Sequence, residues 1–107
     1  MSSAIDANLI SITLFTPKPD HFDTFVDAQL ASLPALGSLS GSRGAQFYVA
    51  KDGRHALLVS FFPDEQLLRD FQQSDAFLAH RDRLQALLES ADSGFYTLAY
   101  ACDAPST

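Results

Sequence analysis

His80 follows Phe77 by three residues and precedes Leu84 by four. That spacing puts its imidazole on the apolar stripe of a helix rather than on the wet side. An imidazole with its ordinary pKa of roughly 6.5 can take up or give back a proton near neutral pH after only a small environmental shift. The same position equally suits a histidine hydrogen-bonded into a core. Asn8, at the start of an apolar strand, carries an amide able to donate to a substrate oxygen, or to serve a strand edge or turn. Tyr48, Tyr96 and Tyr100 combine apolar rings with polar tips, which fits the wall of a pocket for an aromatic ligand and fits a subunit interface. Arg43 and Arg81 have the charge to clamp an acidic substrate, although Arg81 beside Asp82 is most simply solvated. His21, in a first helical turn, and His55, beside a hairpin turn, are assigned no role.

Other chemistries find little support in the sequence. Three histidines and one cysteine show no ligand spacing such as His-x-x-x-His, so no metal is expected. No glycine-rich phosphate loop follows a strand. Cys102 has neither a basic neighbour nor a base to activate it, and a single cysteine cannot close an intramolecular disulfide. A net charge of −6 would repel a phosphate backbone, and the seven Lys and Arg are scattered, so nucleic acid is not an expected partner. Hydrophobic residues make up 47% of the chain, too many for a disordered segment, yet no apolar run is long enough for a membrane span. The opening residues Met1 to Asp6 have neither a basic start nor an apolar export segment, which makes a cytoplasmic location the expectation.

The elements that must position these residues follow from the hydrophobic pattern. Asn8 to Phe15 alternates, with Ile10, Ile12 and Leu14 on one side and Leu9, Ser11, Thr13 and Phe15 on the other, the period of a strand. Pro17 and Pro19 break it, and Phe22, Phe25, Val26, Leu30 and Leu33 recur at helical spacing up to Pro34, where the helix is expected to stop. Leu36 to Gly44 reads as a Gly/Ser-rich loop or a bulged strand opening. Ala45 to Lys51 is a second strand, and Lys51-Asp52-Gly53 supplies hairpin turn chemistry, so a third strand returns antiparallel from Arg54 to Phe62. Asp64 is an N-cap for the next helix, with Leu67, Leu68 and Phe71 on its apolar side and a Glu65–Arg69 pair on its surface. Ser74-Asp75 signals a kink or restart, after which Phe77, Leu84, Leu87, Leu88 and Ala91 continue the stripe. Gly94 follows the helix and Phe95 to Cys102 forms the last strand.

Strand, helix, strand, strand, helix, strand is the βαββαβ order of a ferredoxin-like α+β fold: a four-stranded antiparallel sheet with two helices on one face. A chain of 107 residues without repeats or linkers is read as one domain, with its core at about residues 8–102. The third strand is apolar on both sides, with Leu57, Val59 and Phe61 set against Ala56, Leu58 and Phe62. The bare sheet face is therefore expected to be buried against a second copy of the chain, a homodimeric α+β barrel.

The run Phe62-Pro63-Asp64-Glu65 leading to Phe71-Gln72-Gln73-Ser74-Asp75-Ala76-Phe77-Leu78-Ala79-His80 resembles the antibiotic biosynthesis monooxygenase superfamily of dimeric α+β barrels. The likeness spans roughly residues 8–102 and rests on a capped helix carrying a Ser-x-x-Phe-x-x-His type of element. The resemblance implies a cofactor-independent monooxygenase acting on a small aromatic or quinol substrate, with no metal or flavin. It implies His80 and Asn8 as the catalytic pair and sets Phe62 and Phe71 at the ligand, while Tyr48 and Arg81 are substrate-binding candidates from their own chemistry. Two departures stand out. Phe62 sits where the family usually has Trp, so no indole N–H is available there. The haem-degrading branch would align on Asn8, Phe71 and His80, but it keeps Trp at the aromatic position and places its histidine one residue further along, which disfavours haem degradation. A rival expectation is a non-catalytic ligand-binding or stress-related barrel whose interior is filled by its nine Phe. A third is an isomerase or decarboxylase using the same histidine without dioxygen. A cavity reaching His80 distinguishes an enzyme from a packed interior.

Overall fold

The computed structural model describes residues 9–102. Four strands, β1 (Leu9–Pro17), β2 (Gly44–Val49), β3 (Ala56–Phe62) and β4 (Leu88–Tyr96), form one sheet in the order β2-β3-β1-β4. All neighbours are antiparallel. Three helices, α1 (Phe22–Ser40), α2 (Glu65–Gln72) and α3 (Asp75–Gln85), complete the ferredoxin-like α+β fold, and a short 3-10 turn at Pro19–His21 leads into α1.

Strand alternation divides the sheet chemically. The pairing Ser11↔Ser60, Thr13↔Leu58 and Phe15↔Ala56 puts these residues on the helix side, together with Phe47 of β2 and Ala91 and Ser93 of β4. The hydroxyls of Thr13 and Ser93 meet at 2.9 Å. Phe25 of α1, fully buried, packs its ring 5.0 Å from Phe15 and 6.4 Å from Phe47, and with Ala56 and Leu84 these residues form the core. Burying aromatic rings of this size contributes most of what holds α1 to the sheet. On the opposite face lie Ile10, Ile12, Leu14, Leu57, Val59 and Phe61. There Leu14, Tyr48 and Tyr96 are exposed, the tyrosines by about half.

The helix starts follow the cap signals. The backbone N–H of Leu67 donates to Asp64 Oδ1 (2.9 Å). The restart at Ser74-Asp75 is real: the Phe77 N–H donates to Ser74 Oγ, whose hydroxyl donates to the Phe71 carbonyl (2.7 Å) and so ties α3 to the end of α2. The hairpin between β2 and β3 is closed by Asp52, which accepts from the Arg54 N–H (2.8 Å), and by Gly53 at φ 70°.

Two boundaries differ from the sequence expectation. Helix α1 does not stop at Pro34 but runs through it to Ser40, absorbing the predicted loop. Proline removes one helical hydrogen bond, the one the Leu30 carbonyl would accept; further along, Ser38 donates to the Pro34 carbonyl and Ser40 to that of Gly37 (3.2 Å each). The true stop is Gly41, whose left-handed φ of 72° ends the helix. The second correction concerns the last strand, which is Leu88–Tyr96 rather than Phe95 to Cys102. The stripe through Leu87, Leu88 and Ala91 looks helical, but β1 is central and its second edge needs a partner from Ile10 to Pro17, which residues 88–96 supply. Ser90, Asp92 and Ser93 are also weak helix formers. A register shift at Thr16/Pro17, with Ser90 and Leu88 as successive partners, leaves Glu89 as the extra residue of a bulge.

Candidate functional site

Between the helices and the sheet lies a cavity of about 660 Å³. Its floor is the helix-facing side of the sheet, where Ser11, Thr13, Ser60 and Ser93 bring hydroxyls across β3, β1 and β4. Its roof is apolar: Leu30, Leu33 and Leu36 from α1, Leu68 and Phe71 from α2, and Phe77 and Leu84 from α3. Phe71 and Phe77 pack edge to face, with centroids 5.2 Å apart across the α2–α3 junction that Ser74 fixes. A volume of this order, with mostly apolar walls and a few polar groups, is that of a small-molecule site.

His80 reaches this space from α3 and is buried. Its Nε2 lies 2.8 Å from Oε1 of Gln29 on α1, a side chain only 1% exposed. The carboxamide oxygen can only accept, so Nε2 carries the hydrogen and Nδ1 the lone pair. Nδ1 is buried and has no hydrogen-bond partner among the described residues. Burial, and secondarily the nearby Arg83 guanidinium, push the His80 pKa below its usual value. The ring is thus a neutral imidazole at pH 7.

Of the residues singled out in the sequence, Phe62, Phe71, His80 and Arg81 line this cavity. Phe62 is buried at the end of β3, where proline and the Asp64 cap turn the chain into α2. Arg81 is exposed, 3.7 Å from Asp82, and among the described residues is the one charged residue lining the cavity. Tyr48 is not brought in: it projects from the opposite face of β2, and its hydroxyl donates to Gln46 Oε1 (2.8 Å). Asn8 lies outside the described residues. Among the described residues, no group of three or more His, Cys, Asp or Glu could hold a metal, and no helix is long and apolar enough to cross a membrane.

Gln29 is the residue that sequence reasoning missed. The signal was present, because Phe22, Phe25 and Val26, position 29, and Leu33 share one helical stripe, and Gln29 is the polar interruption of it. A polar residue on a buried stripe requires a partner, and His80 provides it.

A four-stranded antiparallel sheet roofed on one face, with its cavity under the helices, defines the ferredoxin-like α+β class. Residues 9–83 match the family model for antibiotic biosynthesis monooxygenase, and the chain belongs to that family. Solved structures share its fold. PA3566 from Pseudomonas aeruginosa superposes with a TM-score of 0.78 at 16% identity, covering 92% of this chain and 100% of its own. SnoaB from Streptomyces nogalater, a cofactor-independent oxygenase, gives 0.77 at 16% identity, covering 89% and 96%. Rv0793 from Mycobacterium tuberculosis gives 0.71 at 21% identity, covering 92% and 99%. A search of curated protein sequences finds no match to this chain.

Proposed function

We propose that this protein is a cofactor-independent monooxygenase of small aromatic or quinol substrates, with His80 as the base. The observation that carries this reading is the open cavity reaching a buried, neutral histidine with an unpartnered nitrogen. A non-catalytic barrel filled by its phenylalanines would have no such space. The likeness to SnoaB supports the reaction class.

In this reading a phenol-type substrate, the enol of a ring ketone, lies with its rings under Phe71 and Phe77 and its oxygens over the hydroxyl-bearing floor. His80 Nδ1 takes the substrate proton, and a substrate O–H satisfies the buried acceptor. Because Nδ1 is covered, the transfer includes a small movement of the side chains over the ring. The electron-rich anion reduces dioxygen and forms a carbon–oxygen bond. The ring CH2 becomes C=O, one oxygen atom staying in the product and the other leaving as water, so the substrate supplies all the electrons. The leucines and phenylalanines of the roof set apolar side chains around the anion. Asn8 assists the substrate oxygen, and Phe62 and Arg81 border the ligand. The apolar face of the sheet is covered by a second copy of the chain.

Oxygen uptake with a panel of hydroquinones and anthrones tests the reading. His80→Ala is expected to lower the rate on the order of 10²- to 10⁴-fold, the usual worth of a positioned base. Equal rates in wild type and variant would remove His80 from the mechanism.

A further inference from the structure

We infer that Gln29 is a substrate-binding residue, whose side-chain N–H groups anchor a carbonyl or phenolate oxygen of the ligand while His80 holds the other end of the amide. The inference rests on the cavity being the substrate site and adds a contact that neither the sequence nor the fold assigned.

A carboxamide has two ends. The oxygen of Gln29 is occupied by His80 Nε2 at 2.8 Å, which fixes the plane and the direction of the amide. The nitrogen carries two hydrogens and finds no acceptor among the described residues. Gln29 is 1% exposed, so helices and sheet enclose it everywhere except where it forms part of the cavity wall. A partner for those donors can arrive only through the cavity. Unlike His80 Nδ1, the Gln29 nitrogen is not a fully buried unpartnered atom, so it opens on the cavity, and a ligand acceptor that reaches it there gains a hydrogen bond. On the floor, Thr13 and Ser93 bond to one another. The ligand chemistry is thereby specified: a planar apolar body with an oxygen acceptor on the edge facing α1. A ring ketone fits before the reaction, its enolate fits after proton loss, when the N–H donors gain strength from the charge, and the quinone product fits after oxidation by dioxygen.

Fluorenone and fluorene provide the test, because they share a planar three-ring shape and differ by one carbonyl, and fluorenone has no acidic proton. Binding to the full chain is measured by titration calorimetry, and the Gln29 side-chain amide is followed by ¹⁵N–¹H NMR. Wild type should prefer fluorenone by about three- to tenfold, the worth of one neutral hydrogen bond. Fluorenone, but not fluorene, should shift the Gln29 amide resonance. Gln29→Met keeps length and apolar volume but removes the donors, and should abolish the preference of fluorenone over fluorene. Equal affinities for the two compounds in wild type, or an unmoved Gln29 resonance with fluorenone bound, would overturn the assignment without any variant having to fold. A preference that survives in Gln29→Met would overturn it too. Neither probe gives up a proton, so this outcome is independent of the oxygen-uptake result at His80.

Discussion

Replacing Gly41 by alanine tests how the end of α1 is joined to α2 above the cavity. Gly41 has φ 72° and ψ 12°, a left-handed conformation that costs an ordinary L residue roughly 1–2 kcal/mol. Alanine narrows the unfolded ensemble and returns about 0.4–1 kcal/mol of that. A second cost is steric: a Cβ at this position would meet Leu67 Cδ2 at 2.7 Å and Cγ at 3.4 Å. Leu67 sits in the first turn of α2, half-buried, and pushing its side chain off its rotamer costs about 0.5–1.5 kcal/mol. The two costs together, less the entropy gain, give an expected destabilisation of about 1–2 kcal/mol. Urea unfolding followed by circular dichroism measures it, and a double-mutant cycle separates the parts. In a Leu67→Ala background the steric part vanishes, and Gly41→Ala should cost about 1 kcal/mol less than in wild type. A Gly41→Ala variant as stable as wild type would refute the need for a left-handed stop. An identical cost in both backgrounds would refute the contact with Leu67.

Two further outcomes follow from the same structure. His80 is held below its ordinary pKa by burial and Arg83, so below about pH 6.5 the unfolded chain takes up a proton that the folded chain refuses. Stability from this group is constant above that pH and falls as pH drops towards the folded pKa, by at most about 1.4 kcal/mol per pH unit; His80→Gln should flatten this part of a urea-midpoint pH profile. Val59 pairs with Ile12 on the face away from the cavity, and Val59→Glu should yield monomers by sedimentation velocity while fluorenone still binds. A dimer that persists unchanged would show that this face is not the interface.

The fold was legible because its signals are local. Alternation in β1 and β3, the Asp52-Gly53 turn, and the Asp64 and Ser74 caps each act within a few residues and each appears where the pattern placed it. What misled were signals whose outcome depends on distant partners. Pro34 is a helix stop in isolation, but α1 continues past it to the left-handed stop at Gly41. Leu87, Leu88 and Ala91 satisfy a helical period, yet the open edge of β1, far away in sequence, claims them as a strand. At the site, His80 was readable from its place on an apolar stripe, whereas Tyr48 required knowledge of which face of β2 meets the helices. Gln29 was hidden because its meaning depends on a partner 51 residues away.

The two-residue period of β1 has a consequence for how this chain can change over generations. Its odd positions, Ser11, Thr13 and Phe15, belong to the cavity side, and its even positions, Ile10, Ile12 and Leu14, to the open apolar side. Point substitutions can therefore retune either side while leaving the other untouched. An insertion or deletion of one residue within β1 has no such freedom: it exchanges the two sets, carrying isoleucines under the helices and hydroxyls to the outer face. Because β1 pairs with β3 on one edge and β4 on the other, no single neighbour can slip to compensate. The central strand is free to vary in letters and frozen in length.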